Sequence, residues 1–220
     1  RDVGASGRGA ARFDVRAPCV KASGEGAGAP GYTHGPMPDS DTTPAHGLLA
    51  DSFGRRIESL RISVTDRCDL RCIYCIPEDI EWLPRAQILT LEEISRLARL
   101  AVAGGVRKIR LTGGEPLMRR DLPRLIEMLS AIPDLTDLAL TTNGTQLARL
   151  AEPLARAGLK RVNVSLDTLD RATFTKMAQR DAIDRVLEGI EAACAVGLQP
   201  ILINNGPIRG LNDHEVVAFS

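Results

Sequence analysis

Lys108-Ile109-Arg110-Leu111-Thr112-Gly113-Gly114-Glu115-Pro116 is the stretch that decides the fold. Its first five residues alternate polar and apolar, so a β-strand here puts Ile109 and Leu111 on one face and Lys108, Arg110 and Thr112 on the other. Gly113 and Gly114 then stop the strand. Four further runs, 60–65, 137–142, 161–166 and 200–204, carry the same two-sided pattern. Their apolar faces hold Ile62 and Val64, Leu138 and Leu140, Val162 and Val164, and Ile201 and Ile203. The opposite faces carry Arg61, Ser63, Thr141, Asn163, Ser165 and Asn204, with Leu202 as the apolar exception. Helical stretches separate the runs. The first has Thr90 as N-cap, Glu93 three residues on, and an apolar stripe of Leu91, Ile94, Leu97, Ala98 and Ala101 that Gly104 and Gly105 end. Asp121 and Asp170 read as further N-caps, and Gly158 and Gly197 as stops. Strands alternating with helices predict βα units and a parallel sheet. A complete barrel fills its interior with branched apolar side chains, and a doubly wound sheet is apolar on both faces. The expectation is therefore an α/β fold, a partial, open TIM-type (β/α) barrel whose polar lumen takes an anionic ligand. A sheet face turned to solvent is the alternative.

Composition bounds the rest. The chain has 220 residues, 28 Lys and Arg against 28 Asp and Glu, and hence no basic field for a long nucleic-acid backbone. No run is long and apolar enough to span a bilayer, so neither nucleic acid nor membrane is an expected partner. Residues 1–50 hold 9 glycines and 5 prolines, no isoleucine and two leucines, and read as a disordered tail before a domain at 51–220. Met37 is the expected true start. Arg1, Arg8, Arg12 and Arg16 give a faint organellar-import pattern that Asp2 and Asp14 interrupt, so the cytoplasm is the expected location. The helical pattern after Asp213 stops at Ser220, as in a fragment of a longer protein. Five cysteines are odd in number and suit a reducing compartment. Cys19 falls in the tail, and Cys194 reads as a small buried thiol in a helix.

The other three cysteines lie on one loop after the first strand, Cys68-Asp69-Leu70-Arg71-Cys72-Ile73-Tyr74-Cys75, a C-x3-C-x2-C spacing. Loops at strand C-termini are where barrel enzymes keep their chemistry. Three thiolates can hold three irons of a [4Fe-4S] cluster and leave the fourth open to a substrate. A structural zinc, the alternative, wants a fourth ligand, and no His or Cys follows before Cys194.

This spacing, with an aromatic residue before the last cysteine, resembles the signature of the radical S-adenosylmethionine (SAM) superfamily, and Gly113-Gly114-Glu115-Pro116 is similar to its GGEP motif. Longer runs resemble the GTP 3',8-cyclase (MoaA) family of molybdenum cofactor biosynthesis. They are residues 60–68, 108–121, Leu140-Thr141-Thr142-Asn143-Gly144, 161–167 and Arg209-Gly210-Leu211-Asn212-Asp213. The resemblance spans residues 53–213. It implies that Cys68, Cys72 and Cys75 ligate a [4Fe-4S] cluster, that Tyr74, Gly114, Glu115 and Ser165 contact SAM, and that Arg61, Arg110 and Thr141 contact GTP. It implies a radical SAM lyase that cyclises GTP, an electron donor for the cluster, and a following enzyme that consumes the product. A side chain at Gly114 is expected to bar close approach of ligand to backbone. Ion pairing of Arg61 and Arg110 with Glu115 or Asp167 is the alternative role for those two cations. Two features depart from the family: Leu202 stands where it has a lumenal lysine, and the region of its second [4Fe-4S] cluster lies beyond Ser220. A peptide-modifying radical SAM enzyme and an inactive SAM-binding module are the rival readings.

Overall fold

The computed structural model describes residues 19–22, 49–77 and 79–219. Met37 and the four N-terminal arginines lie outside the described residues. Six strands form one parallel sheet in the order β1-β6-β5-β4-β3-β2, with β1 Val20–Ala22, β2 Ser59–Ser63, β3 Lys108–Thr112, β4 Asp137–Thr142, β5 Arg161–Ser165 and β6 Ile201–Asn204. β1 and β2 are not paired with each other, so the sheet is an open barrel wall. The helices α1 Leu91–Ala103, α2 Leu122–Ser130, α3 Leu147–Arg156, α4 Arg171–Ala178 and α5 Ile183–Ala195 connect the strands. α1 packs on α2, α2 on α3 and α3 on α5, so the helices share one side of the wall.

The core lies between wall and helices. Ile109, Leu111, Leu138, Leu140, Val162, Val164, Ile201 and Ile203 are all buried, together with Leu125, Ile126, Leu154, Val186 and Ile190 of the helices. This is the apolar half of the strand pattern, and area removed from water there stabilises the fold at roughly 25 cal/mol per Å². Thr90 and Glu93 form the expected capping box, and Asp170 caps α4 by accepting from the Thr173 N–H. Asp121 does not cap α2: its backbone is left-handed at φ 57° and its carboxylate makes no cap bond. The buried stripe of α1 is Ile94, Ser95, Ala98 and Val102, whereas Leu97 is half exposed. The helix is rotated from the expected stripe, with Ser95 and Val102 buried and Ala101 only partly so.

The N-terminal stretch also departs from expectation. Val20–Ala22 adds in parallel to the outer edge of β6, with the Ile201 N–H donating to the Cys19 carbonyl at 2.8 Å. This brings Cys19 within 5.8 Å (Cα–Cα) of Cys194 near the end of α5, and the two form a disulfide. Cys194 is therefore not a free buried thiol, and residues 19–22 are not disordered. An unpaired strand edge offers a row of backbone donors and acceptors, and this segment satisfies it.

Candidate active site

The lumenal face is arranged in rows, because parallel register aligns residues of equal height. Ser59, Lys108 and Asp137 form the lowest row, and Arg61, Arg110, Ala139 and Arg161 the next. Above them Thr141, Asn163 and Leu202 are aligned, and then Ser165 and Asn204. The two lower rows line a cavity of about 300 Å³ at the N-terminal end of the lumen. Among the described residues, Arg61 and Arg110 make no ion pair, so the alternative pairing with Glu115 or Asp167 does not occur. Glu115 is occupied with Leu117, Thr142 and Asn143, and Asp167 with Tyr74 and Gly206. Burial, and then the like charges of Arg161 and Arg61, lower the Arg110 guanidinium from its ordinary pKa. The lining carries Arg61, Lys108, Arg110 and Arg161 against the single carboxylate of Asp137, so its net charge is positive. Thr141 stands one row above Ala139 and does not line it.

Sequence reasoning missed the two charged lining residues Asp137 and Arg161. Extending the period of two back to the first residue of β4 and of β5 would have found both.

At the other end of the strands the cysteine loop is fixed from three sides. Its backbone N–H groups at Arg71 and Ile73 donate to the Ala178 and Met177 carbonyls at 3.0 and 2.9 Å, which hangs the loop on the end of α4. Arg67 and Arg71 stack on the Trp82 ring at 5.1 and 5.2 Å, a cation–π pair that braces its outer side. Inside, the Asp69 carboxylate accepts from Asn143 Nδ2 at 2.8 Å and from Thr145 Oγ1 at 2.6 Å, which ties the loop to the end of β4. This network carried no sequence signal, since its members are more than 70 residues apart.

The two glycine positions join the loop to the turn after β3. The Gly114 N–H donates to the Thr65 carbonyl at 2.8 Å and the Glu115 N–H to the Arg67 carbonyl at 2.7 Å. A Cβ at Gly114 would lie 2.4 Å from Arg67 O and 2.5 Å from Asp66 O. Gly114 is therefore required by backbone packing against the loop, so a side chain there acts on the fold first, and not mainly on the approach of a ligand. Glu115 is 1% exposed, and burial pushes its carboxyl up to about 7 against the three hydrogen bonds that hold it down.

Cys68, Cys72 and Cys75 are all free thiols. Burial, then the charges of Cys68 and Cys75, push the Cys72 thiol up to about 11, and burial raises Cys68 too. Three such thiols repel as thiolates unless a cation compensates them. Among the described residues no three His, Cys, Asp or Glu side chains are grouped to hold one metal ion. Three free thiols on one strand-end loop fit a cluster, where each thiolate holds a different iron. Cys72, Tyr74, Asn143, Ser165 and Asp167 line one small cavity of about 40 Å³ beside the loop. Tyr74 Oη donates to the Asp167 carboxylate, and burial followed by that bond raises the phenol well above its usual pKa. The structure thus brings Tyr74 and Ser165 together with Cys72, and Gly114 and Glu115 against the start of the same loop.

A family model described as the Radical SAM superfamily matches residues 62–219, which takes in the cysteine loop, the glycine turn and strands β3 to β6. The chain belongs to the radical SAM superfamily. Membership implies a [4Fe-4S] cluster and SAM, and the three thiols on their strand-end loop fit that pair. Among curated proteins, GTP 3',8-cyclase of Acidothermus cellulolyticus is 56% identical over 174 residues, covering 76% of this chain and 48% of the relative. GTP 3',8-cyclase of Rhodopirellula baltica is 58% identical over 173 residues, covering 78% and 48%. The chain spans about half the length of these relatives. Among solved structures, Streptococcus suis SuiB bound to S-adenosylmethionine has a TM-score of 0.60 at 25% identity, covering 74% of this chain and 37% of that one. This radical SAM chain therefore carries the open barrel wall, with its cysteine loop at one end of the lumen and its arginine row at the other. Among its described residues no helix is long and apolar enough to cross a membrane.

Proposed function

We propose that this chain is the barrel portion of a GTP 3',8-cyclase, the radical SAM lyase of the first step of molybdenum cofactor biosynthesis. The observation that carries the reading is the polarity of the lumen, with cluster-type thiols at the C-terminal ends of the strands and, at the other end, a row of arginines of which Arg61 and Arg110 make no ion pair among the described residues. A substrate with a polyphosphate tail and a reacting ribose fits between them. Cys68, Cys72 and Cys75 would hold the cluster, which when bound would supply the electron for reductive cleavage of SAM and hence the radical chemistry that joins ribose C3' of GTP to C8 of its guanine.

The chain's own residues do the positioning. Tyr74 within the cysteine loop and Ser165 at the end of β5 line one cavity with Cys72, where SAM would lie. The Glu115 carboxylate has about four lone-pair sites and uses three internally, which leaves one acceptor for the SAM amino group. Arg61 and Arg110 offer guanidinium forks to phosphate oxygens, and Thr141 sits one row nearer the loop, beside the nucleoside. A reduced electron carrier would feed the cluster, and an enzyme acting on the cyclised nucleotide would follow. Cytoplasm is the compartment that suits such a cluster. The family resemblance further implies a second [4Fe-4S] cluster, which we propose the cyclase holds outside this barrel portion.

The test is anaerobic reconstitution with iron and sulfide, followed by SAM cleavage with and without GTP. Cys68→Ser, Cys72→Ser and Cys75→Ser should each abolish cleavage, and Cys194→Ser should not. One zinc and no iron per chain would overturn the radical reading. Iron with SAM cleavage that is indifferent to GTP would favour a peptide-modifying enzyme instead.

A further inference from the structure

The cavity at the N-terminal end of the lumen contains one anion among its cations. Its lining carries Arg61, Lys108, Arg110 and Arg161 against Asp137. Three of the four cations make no ion pair among the described residues. The exception is Arg161, whose Nη2 and Nε donate to the two Asp137 oxygens at 2.6 and 3.1 Å, while Nη1 donates to Asn163 Oδ1 at 3.1 Å. A guanidinium has five N–H donors, so these three bonds leave two on Arg161 uncommitted. The pair is not a surface ion pair, since the side chains are 20% and 25% exposed and face the lumen.

Register gives this pair its meaning. Arg61, Arg110, Ala139 and Arg161 lie in one row across four adjacent strands. Neighbouring strands are about 4.8 Å apart, so the row spans roughly 14 Å, a length suited to a chain of phosphates rather than to one. Alanine at 139 leaves open the space between the two guanidinium groups on either side. The strand beyond, β6, brings Leu202 beside Asn163 and contributes no charge to this end of the lumen. Arg161 is thus the last cation in the row.

We propose that Arg161 is a polyphosphate-binding residue of this site and that Asp137 is its resident counter-ion, which gives up the guanidinium when a polyphosphate enters. The inference rests on the GTP reading for the identity of the ligand and extends it to two residues on β4 and β5. Without a ligand, Asp137 offsets one of four mutually repelling cations and keeps the Arg161 fork in the row. With a ligand, phosphate oxygens replace the carboxylate, and charge-assisted bonds to several forks form together. Each entry of phosphate must displace Asp137, so a single phosphate competes poorly and a chain of them well. Asp137 therefore sets how much negative charge the site demands.

Titration calorimetry of the 220-residue protein with inorganic tripolyphosphate, inorganic phosphate, GTP and guanosine tests this. Arg161→Gln should weaken tripolyphosphate and GTP binding about tenfold or more, the usual effect of losing a charge-assisted contact, and leave guanosine unchanged. Arg161→Lys should fall between, having the charge but not the fork. Asp137→Asn should tighten tripolyphosphate several-fold and narrow its advantage over inorganic phosphate. Circular dichroism checks that each variant is folded. Two outcomes overturn the inference alone: Arg161→Gln within twofold of wild type while Arg110→Gln loses affinity, or Asp137→Asn weakening tripolyphosphate as Arg161→Gln does. Wild-type protein that ignores tripolyphosphate at millimolar concentration overturns the inference and the GTP reading together. Tripolyphosphate effects as expected, with GTP bound no better than tripolyphosphate, would keep the inference and refute the nucleotide reading.

Discussion

Gly114→Ala should damage the protein before any ligand is present. The added Cβ would meet Arg67 O at 2.4 Å, Asp66 O at 2.5 Å and the Arg67 carbonyl carbon at 2.7 Å, while ordinary contact starts at 3.4 Å. The obstacle is backbone, so no rotamer change relieves it, and the loop has to retreat by about 1 Å at the residue before Cys68. Overpacking of this kind costs about 1–3 kcal/mol. The retreat also breaks the Gly114–Thr65 and Glu115–Arg67 backbone bonds, at about 0.5–1.5 kcal/mol each. The sum, about 2–6 kcal/mol, lowers the melting temperature by roughly 10 °C in a domain of this size. Calorimetry or circular dichroism on metal-free protein reads that shift, and iron per chain after reconstitution should fall in parallel because the first cysteine has moved. A normal melting temperature and normal iron content, with only SAM affinity lost, would refute this reasoning and restore a pure ligand role for the glycine.

Glu115 should make stability depend on pH with the opposite sign from an ordinary carboxylate. Its folded pKa is raised from 4.5 to about 7, so the folded state holds the proton more tightly; the associated stability is fully present below about pH 4.5 and lost as pH rises through 7. Denaturant titrations of metal-free protein across that window should show the decline, and Glu115→Gln should remove this part of it; an unchanged slope would contradict the burial argument. Leu202→Lys should raise GTP affinity, since position 202 is aligned with Asn163 one row above Arg161, and a charged contact to phosphate is worth about tenfold or more. Calorimetry with GTP against guanosine checks it, and equal affinity for GTP in both proteins would mean that residue 202 does not reach the triphosphate.

What the sequence made legible was whatever repeats locally. A strand's alternation is a property of adjacent residues, so the lumenal placement of Arg61, Arg110, Asn163 and Ser165 could be read residue by residue, and the capping box of Thr90 and Glu93 needs only four positions. The rows were not legible, because which residue of β5 stands beside which residue of β4 depends on register, and register is set by packing of the whole wall. Arg61, Lys108 and Arg110 read in the sequence as three cations at nearby levels; Arg161 joins Arg61 and Arg110 in one row only once Ala139 is aligned with both of its neighbours.

The same distinction explains the errors at the glycine turn and the N-terminus. In sequence Gly114 is a residue that lacks a side chain, and the natural inference is room for a ligand. In the fold that room is filled by the backbone of Asp66 and Arg67 at the start of the cysteine loop, so the two motifs form one packed unit. Composition likewise marked residues 1–50 as too poor in apolar side chains to fold, and that argument counts side-chain burial alone. Val20–Ala22 is ordered by backbone bonds to the open edge of β6, by burial of Val20 in the core and by the Cys19–Cys194 disulfide, none of which composition registers. Open edges, close backbone contacts and a distant cysteine partner are tertiary facts, and both errors arise where such facts decide the packing. It follows that a change at Gly114 reaches the cluster ligands through the loop backbone, which is why stability and iron content should move together there.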